Sequence, residues 1–125
     1  MWMREAEMAD TTVRRYTSDE SVQHDLFPGG AIQFVHTDNV TFAAWSFKAG
    51  TQVPSHVHPH EQITHCVSGS LVLTTPGAEI VLQAGETAVI PGGVEHAARA
   101  DETASGVDVF FPVREDYRRL GGDQS

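Results

Sequence analysis

The sequence predicts an all-β fold, a sandwich or barrel of short strands with one short C-terminal helix. Three observations carry that expectation. Runs rich in Val, Ile, Phe, Trp, Thr and Ala recur from residue 31 onward, turn-forming residues separate them at close intervals, and no helical period appears before residues 114–120. In chain order, residues 31–36 and 40–48 are the first two strands, with Asp38 and Asn39 as the turn between them. Residues 62–67, 70–75, 79–82, 87–90 and 106–111 follow, broken by Gly69-Ser70, Pro76-Gly77, Ala84-Gly85 and Pro91-Gly92-Gly93. Gly50, Gly69 and Gly85 stand beside these runs, where a tight turn needs positive φ, and Pro91, lacking an N–H, suits a strand end. Residues 1–25 are polar and mixed in charge and read as an N-terminal arm, in which Met1, Met3 and Met8 are each possible starts. The domain is expected over 26–120, and residues 121–125 read as a frayed tail.

A chain of 125 residues allows one domain with a real core. Eight basic residues against 17 acidic ones give a net charge of −9, which argues against a nucleic-acid partner, since that needs a basic face. The single cysteine, Cys66, excludes an intramolecular disulfide and any multi-cysteine zinc site. No apolar run approaches the ~20 residues of a membrane span, and the first twelve residues carry no apolar core of a signal peptide. A cytoplasmic protein without a membrane partner is the default expectation.

Seven histidines stand at 24, 36, 56, 58, 60, 65 and 96. On an extended segment His56 and His58 face the same way, and Gln62 lies four further on, in phase with both. His96 reaches them from a distant strand after the Pro91-Gly92-Gly93 turn. Three imidazoles and one amide oxygen suit one divalent transition metal (Fe, Zn, Ni, Mn or Co) with coordination positions left open. His60 is also in phase, but Pro59 interrupts the strand, so His60 is expected outside the ligand set. His24, His36 and His65 read as ordinary surface or core residues.

The glycine framework around these histidines is more specific. It reads G-x(5)-H-x-H-x(3)-Q-x(6)-G from Gly50 to Gly69, then G-x(5)-P-x-G-x(2)-H from Gly85 to His96. Over residues 40–112 this resembles the two motifs of the cupin superfamily. The resemblance implies a double-stranded β-helix, the jelly-roll barrel, with a metal ion near one mouth. Gln62 stands where the family usually has glutamate, and Ala100 where an asparagine often closes the second motif. The first change keeps an oxygen ligand and removes a negative charge, which makes the bound ion more Lewis acidic.

The stretch from Asp108 to Tyr117 carries the remaining chemistry. Strand alternation puts Asp108 and Phe110 on one face, Val109 and Phe111 on the other. An aspartate facing the inside of an apolar barrel is costly unless used, and its opposed pulls, burial upward and a nearby cation downward, suit acid–base work. Arg114 is one of two basic residues between Lys48 and Tyr117. Its fork either grips a substrate carboxylate or pairs with Glu115, Asp116 or a neighbouring subunit. The motifs H-x-H-P-H-E-Q and D-x-F-x-P-x-R-E-D-Y are similar to those of the KdgF subgroup of small cupins, from pectin degradation. That resemblance implies opening of cyclic 4,5-unsaturated monouronates to the open-chain keto form. It carries metal ligation onto His56, His58, Gln62 and His96, and the substrate pocket onto Asp108, Phe110 and Arg114. Phe111 replaces a small residue of that subgroup and Val113 one of its prolines.

The expected function is therefore a mononuclear divalent-metal enzyme acting on a small oxygenated, carboxylate-bearing molecule. Asp108 shuttles a proton, Arg114 anchors the carboxylate, and Phe110 with Trp45 or Phe47 walls the pocket. The alternatives are a non-haem iron dioxygenase, a polyketide cyclase, or a non-catalytic small-molecule-binding cupin. A homodimer is expected, paired through the outer faces of strands such as residues 31–36.

Overall fold

The computed structural model describes residues 11–17 and 23–120; the remainder of the polar arm and the tail at 121–125 lie outside the described residues. Ten strands and one helix follow in order: β1 (Gln23–Phe27), β2 (Gly30–His36), β3 (Thr41–Phe47), β4 (Gln52–His56), β5 (Glu61–Ser68), β6 (Ser70–Thr75), β7 (Ala78–Gln83), β8 (Thr87–Ile90), β9 (His96–Arg99), β10 (Ala104–Phe111) and α1 (Glu115–Leu120). Two antiparallel sheets face each other, a larger one in the order β1-β2-β3-β10-β5-β8 and a smaller one in the order β4-β9-β6-β7. The chain crosses between sheets repeatedly, which makes the fold the all-β jelly-roll barrel that the sequence predicts, with its one short terminal helix.

The strand runs fall where the sequence puts them, with three additions. β1 begins at Gln23, inside the stretch read as an arm, because it pairs with β2 from Gln23↔Gln33 onward. β4 and β9 escape a composition-based reading because β4 carries Pro54 and β9 is four residues long. Gly50, Gly69 and Gly85 take positive φ of 94°, 71° and 91°. At Gly69 a Cβ would also run into the Thr103 carbonyl, so that turn requires glycine on two grounds.

Register stacks the inward side chains of the larger sheet in three rows. The row at one end runs His36, Thr41, Phe110, Gln62, Ile90. The middle row runs Phe34, Ala43, Asp108, Thr64, Ala88. The third runs Ile32, Trp45, Gly106, Cys66. Ile32, Trp45, Phe47, Cys66, Leu71 and Leu73, toward the far end, belong to one buried cluster that also takes in Ala43, Ile90 and Phe110. The outward row Val35, Phe42, Val109, Ile63, Val89 is apolar, with Phe42, Ile63 and Val89 exposed. Exposed apolar side chains thus lie on β3, β5 and β8, with Ile80 and Val81 on β7 and Phe111 on β10. Among the described residues no helix is long and apolar enough to cross a membrane.

Candidate metal centre

His56 is the last residue of β4 and His96 the first of β9, and the two are partners in register. His58 is not on that strand, contrary to the expectation that one extended segment carries both imidazoles. β4 stops at His56, and His58 sits in the connection to β5. Its position is fixed from the other side. The Gly93 N–H donates to the His58 carbonyl at 2.9 Å, and Gly92 lies so close to the Pro59 carbonyl that a Cβ there would collide with it. The Pro91-Gly92-Gly93 turn therefore carries the histidine loop on its back. The ring centroids of His56 and His96 are 4.3 Å apart, and those of His58 and His96 4.9 Å. One ligand nitrogen from each of the three lies within 4.8 Å of the others.

Every one of these rings is oriented through Nδ1. His56 Nδ1 faces the Pro54 carbonyl at 2.8 Å, His58 Nδ1 the His60 carbonyl at 3.1 Å, and His96 Nδ1 the Val94 carbonyl at 2.8 Å. A carbonyl only accepts, so each Nδ1 holds the proton and each Nε2 keeps a bare lone pair. Gln62, at the start of β5, is oriented as well. Its amide N–H₂ donates to Thr64 Oγ1 at 2.9 Å and to Asp108 Oδ2 at 3.4 Å, which turns Oε1 toward the histidines. Oε1 then lies 3.1 Å from His58 Nε2 and 3.2 Å from His96 Nε2. A neutral imidazole has one proton and cannot serve both its carbonyl and Oε1. Burial, and then the Arg114 charge, pulls His58 down to about 4, and burial lowers His96, so neither ring carries a second proton at neutral pH. Lone pairs of neutral nitrogen and oxygen donors converge on one point. A divalent cation resolves that arrangement, and the donor set suits a first-row transition metal.

Asp108 lies one row deeper. Its Oδ1 accepts from Trp45 Nε1 at 3.1 Å, so Trp45 both walls the cavity and orients the carboxylate. Burial pushes the Asp108 carboxyl up to about 6, against the opposing hydrogen bonds from Thr64 and Trp45 and the charge of Arg114. The cavity, about 50 Å³, is walled by Phe34, Trp45, Phe47, Leu73 and Phe110 among others, with His56, Gln62, Thr64, His96 and Asp108 as its polar groups. By the 10–15 Å³ that one water needs, that is room for roughly three to five waters. His60 stands edge-on to His58 with centroids 5.5 Å apart and is not one of the three clustered histidines. His36 and His65 are held by Thr41 and Thr87, and His24 packs on Phe34.

For Arg114 the sequence offered two expectations, a grip on a substrate carboxylate or a pair with an acidic neighbour; Nη1 is buried without a protein partner. The second expectation holds: Nε and Nη2 are bonded to the two oxygens of Asp116 at 2.9 and 2.7 Å. The guanidinium is buried, 3.8 Å over the Tyr117 ring and 4.8 Å over that of Phe110, and is not part of the cavity wall. Tyr117 is part of that wall, and sequence reasoning assigned it no role. Its signals were its place as the last residue of the D-x-F-x-P-x-R-E-D-Y motif and its spacing of three from Arg114.

A jelly-roll barrel with three histidines and an amide oxygen converging near one mouth defines a class of small metal-site β-barrels. Residues 43–110 match the cupin domain family, and the chain belongs to it. It is similar to the H2HPP isomerase of Bacillus subtilis, 29% identical over 108 residues, which is 79% of this chain and 46% of that protein. The chain thus spans less than half the length of that relative. Among solved structures it is similar to KdgF from a Halomonas species, with TM-score 0.75 and 28% identity over 82% of this chain and 97% of that one. An RmlC-like cupin from Shewanella frigidimarina superposes with TM-score 0.77 at 24% identity, covering 85% of this chain and 96% of the other, and supports the fold alone.

Proposed function

We propose that this cupin is a mononuclear divalent-metal enzyme that isomerises a small oxygenated molecule by moving a proton within it, opening of an unsaturated sugar-acid ring being the concrete case. The observation that carries this is the convergence of His56, His58, His96 and Gln62 lone pairs directly above the Asp108 carboxylate. When bound, the ion supplies Lewis acidity, polarising a substrate oxygen and acidifying the adjacent C–H or O–H. The chain's own residues do the rest. Gln62, being neutral, leaves the ion's charge uncancelled by its ligands. Asp108 accepts a proton from one substrate atom and returns it to another, so the reaction is balanced without a co-reactant. Trp45 Nε1–H and the Gln62 amide hold the carboxylate in one orientation through both transfers. Phe110, edge-on to His58, keeps bulk water from the site.

One observation favours a second reading. The cavity wall is mainly apolar and holds no arginine or lysine among the described residues. That suits a less polar, enolisable ketone, with cyclisation or oxygenation as the chemistry. The test is turnover of a 4,5-unsaturated galacturonate by Zn- or Ni-loaded protein without oxygen, followed by NMR. Open-chain keto acid supports the first reading. No reaction there, with oxygen uptake on a ketone by the Fe(II) form, overturns it.

A further inference from the structure

Helix α1 touches the barrel through one side chain that reaches the cavity. Among the described residues, Tyr117 is the only helix residue in the cavity wall. Its ring packs on Phe34 of β2 with centroids 4.8 Å apart and edge-on to Phe110 of β10 at 5.8 Å. β3 runs between those two strands, and its inward residues at that level are small, Thr41 and Ala43. The sheet thus leaves a gap over β3 between two phenylalanines, and the Tyr117 ring fills it.

The ring is pinned on every side. The Arg114 N–H donates to Thr41 Oγ1 at 2.8 Å and fixes the start of the helix to β3. The guanidinium, clamped by both Asp116 oxygens, lies 3.8 Å over the phenol ring. One turn further, Arg118 Nη2 donates to the Thr37 carbonyl at 3.1 Å. The cavity under this plug measures about 50 Å³. A pocket that accepts benzene measures about 150 Å³. The space is short by an aromatic ring, and an aromatic ring is what Tyr117 puts there.

We propose that Tyr117 determines specificity by setting the upper size of molecule that reaches the metal centre, with Arg114 and Asp116 as the residues that position it. This rests on the metal-centre reading above and, a sugar-acid ring being at least as bulky as benzene, it favours a substrate smaller than that ring. It assigns Arg114 to shaping the site rather than to binding a carboxylate, and it gives α1 a function that the fold alone does not require.

The test uses two probes with one headgroup and different tails. Protein loaded with Co(II) is titrated with acetohydroxamate and with benzohydroxamate, and the visible Co(II) spectrum reports binding. The native chain prefers the small probe by at least ~10-fold, the scale of one excluded contact. Tyr117→Ala and Tyr117→Leu bind benzohydroxamate at least ~10-fold more tightly than the native chain, while Tyr117→Phe keeps the native preference, because the ring and not the hydroxyl fills the gap. Two variants of different size guard against one that fails to fold, and Co(II) stoichiometry checks each. If Co(II) binds at one per chain and the ratio of the two probes is the same in all four proteins, the proposal is overturned and the metal centre stands. If Co(II) does not bind, both fall together.

Discussion

The two ends of this barrel are built from the same strands and do opposite things. At the far end, Ile32, Trp45, Phe47, Cys66 and Leu73 continue the inward pattern of the strands with apolar groups and pack against one another. At the near end the same alternation delivers Thr41, Gln62, Thr64 and Asp108, and the flanking loop and strand termini add His56, His58 and His96. One end satisfies every side chain internally. The other leaves lone pairs facing lone pairs. Consistency between pattern and burial specifies a fold, and its local breach marks where the molecule has work to do.

The largest difference appears when one residue is taken from each end. His58→Ala removes a ligand whose Nε2 faces Gln62 Oε1, and abolishes stoichiometric metal after reconstitution, as measured by elemental analysis. The variant melts within about 5 °C of the metal-free native chain, since the lost contact was unfavourable without a cation. A large fall in melting temperature with metal retained would reverse the assignment of roles between the two ends. His60→Ala, from the same loop, keeps most of the metal.

Asp108→Asn tests the row between the ends. It keeps the size of the side chain and removes the proton acceptor. Turnover falls by roughly 10²–10⁴ with metal content unchanged, the range usual for a lost acid–base group. Full activity in this variant would remove proton transfer by Asp108 from the mechanism and move the oxygenase or cyclase reading forward.

Phe47→Ala is the counterpart at the apolar end. The ring stacks on Trp45 at 4.8 Å and is closely backed by Gly30, so truncation leaves a cavity that little can fill. Unfolding free energy drops by about 3–5 kcal/mol in a denaturant titration. Metal affinity per folded molecule stays as it was, because an apolar ring supplies no donor to the metal site. Loss of both together would mean that the two ends are one cooperative unit and that the division drawn above has no energetic content.

What was legible in the sequence divides along the same line. The apolar end follows from strand alternation, and the turns follow from Gly and Pro, so most of the strands could be read off the chain. The jelly-roll itself came from motif spacing, which periodicity alone does not provide. His56, His58, Gln62 and His96 were readable as a set. The supposed reason, one continuous strand, holds for His56 but fails for His58, whose place depends on a turn some thirty residues later in the chain. Arg114 shows the limit most clearly. Scarcity of basic residues made it look like an anion clamp, while its actual partner, Asp116, is two residues away in a helix too short to announce its own packing. Tyr117 was hidden because filling the gap over Thr41 and Ala43 is a property of three elements at once.

The smallest effect separates helix α1 from both ends. Bonding to Arg114 holds the Asp116 carboxyl below its ordinary value of 3.8, with burial opposing. A depressed carboxyl contributes stability that is fully present above the unfolded value, near 4, and is lost as pH falls through the lower folded value. The Asp116 side chain is 56% exposed, so solvent screens the pair and its worth is modest. Melting temperatures of the metal-free native chain and Asp116→Asn should therefore differ by a small constant amount, at most a few degrees, above about pH 5, and the difference should shrink below about pH 4. The buried apolar cluster contributes nothing to that trend, since the one titratable side chain among its buried members, Cys66, is pushed upward, away from the acid range. If the two curves stay parallel down to pH 3, the Arg114–Asp116 pair does not hold the helix. Tyr117 is then kept in place by its ring contacts with Phe34 and Phe110 and by the helix anchors at Thr41 and Thr37, and Phe34→Ala becomes the variant that opens the cavity.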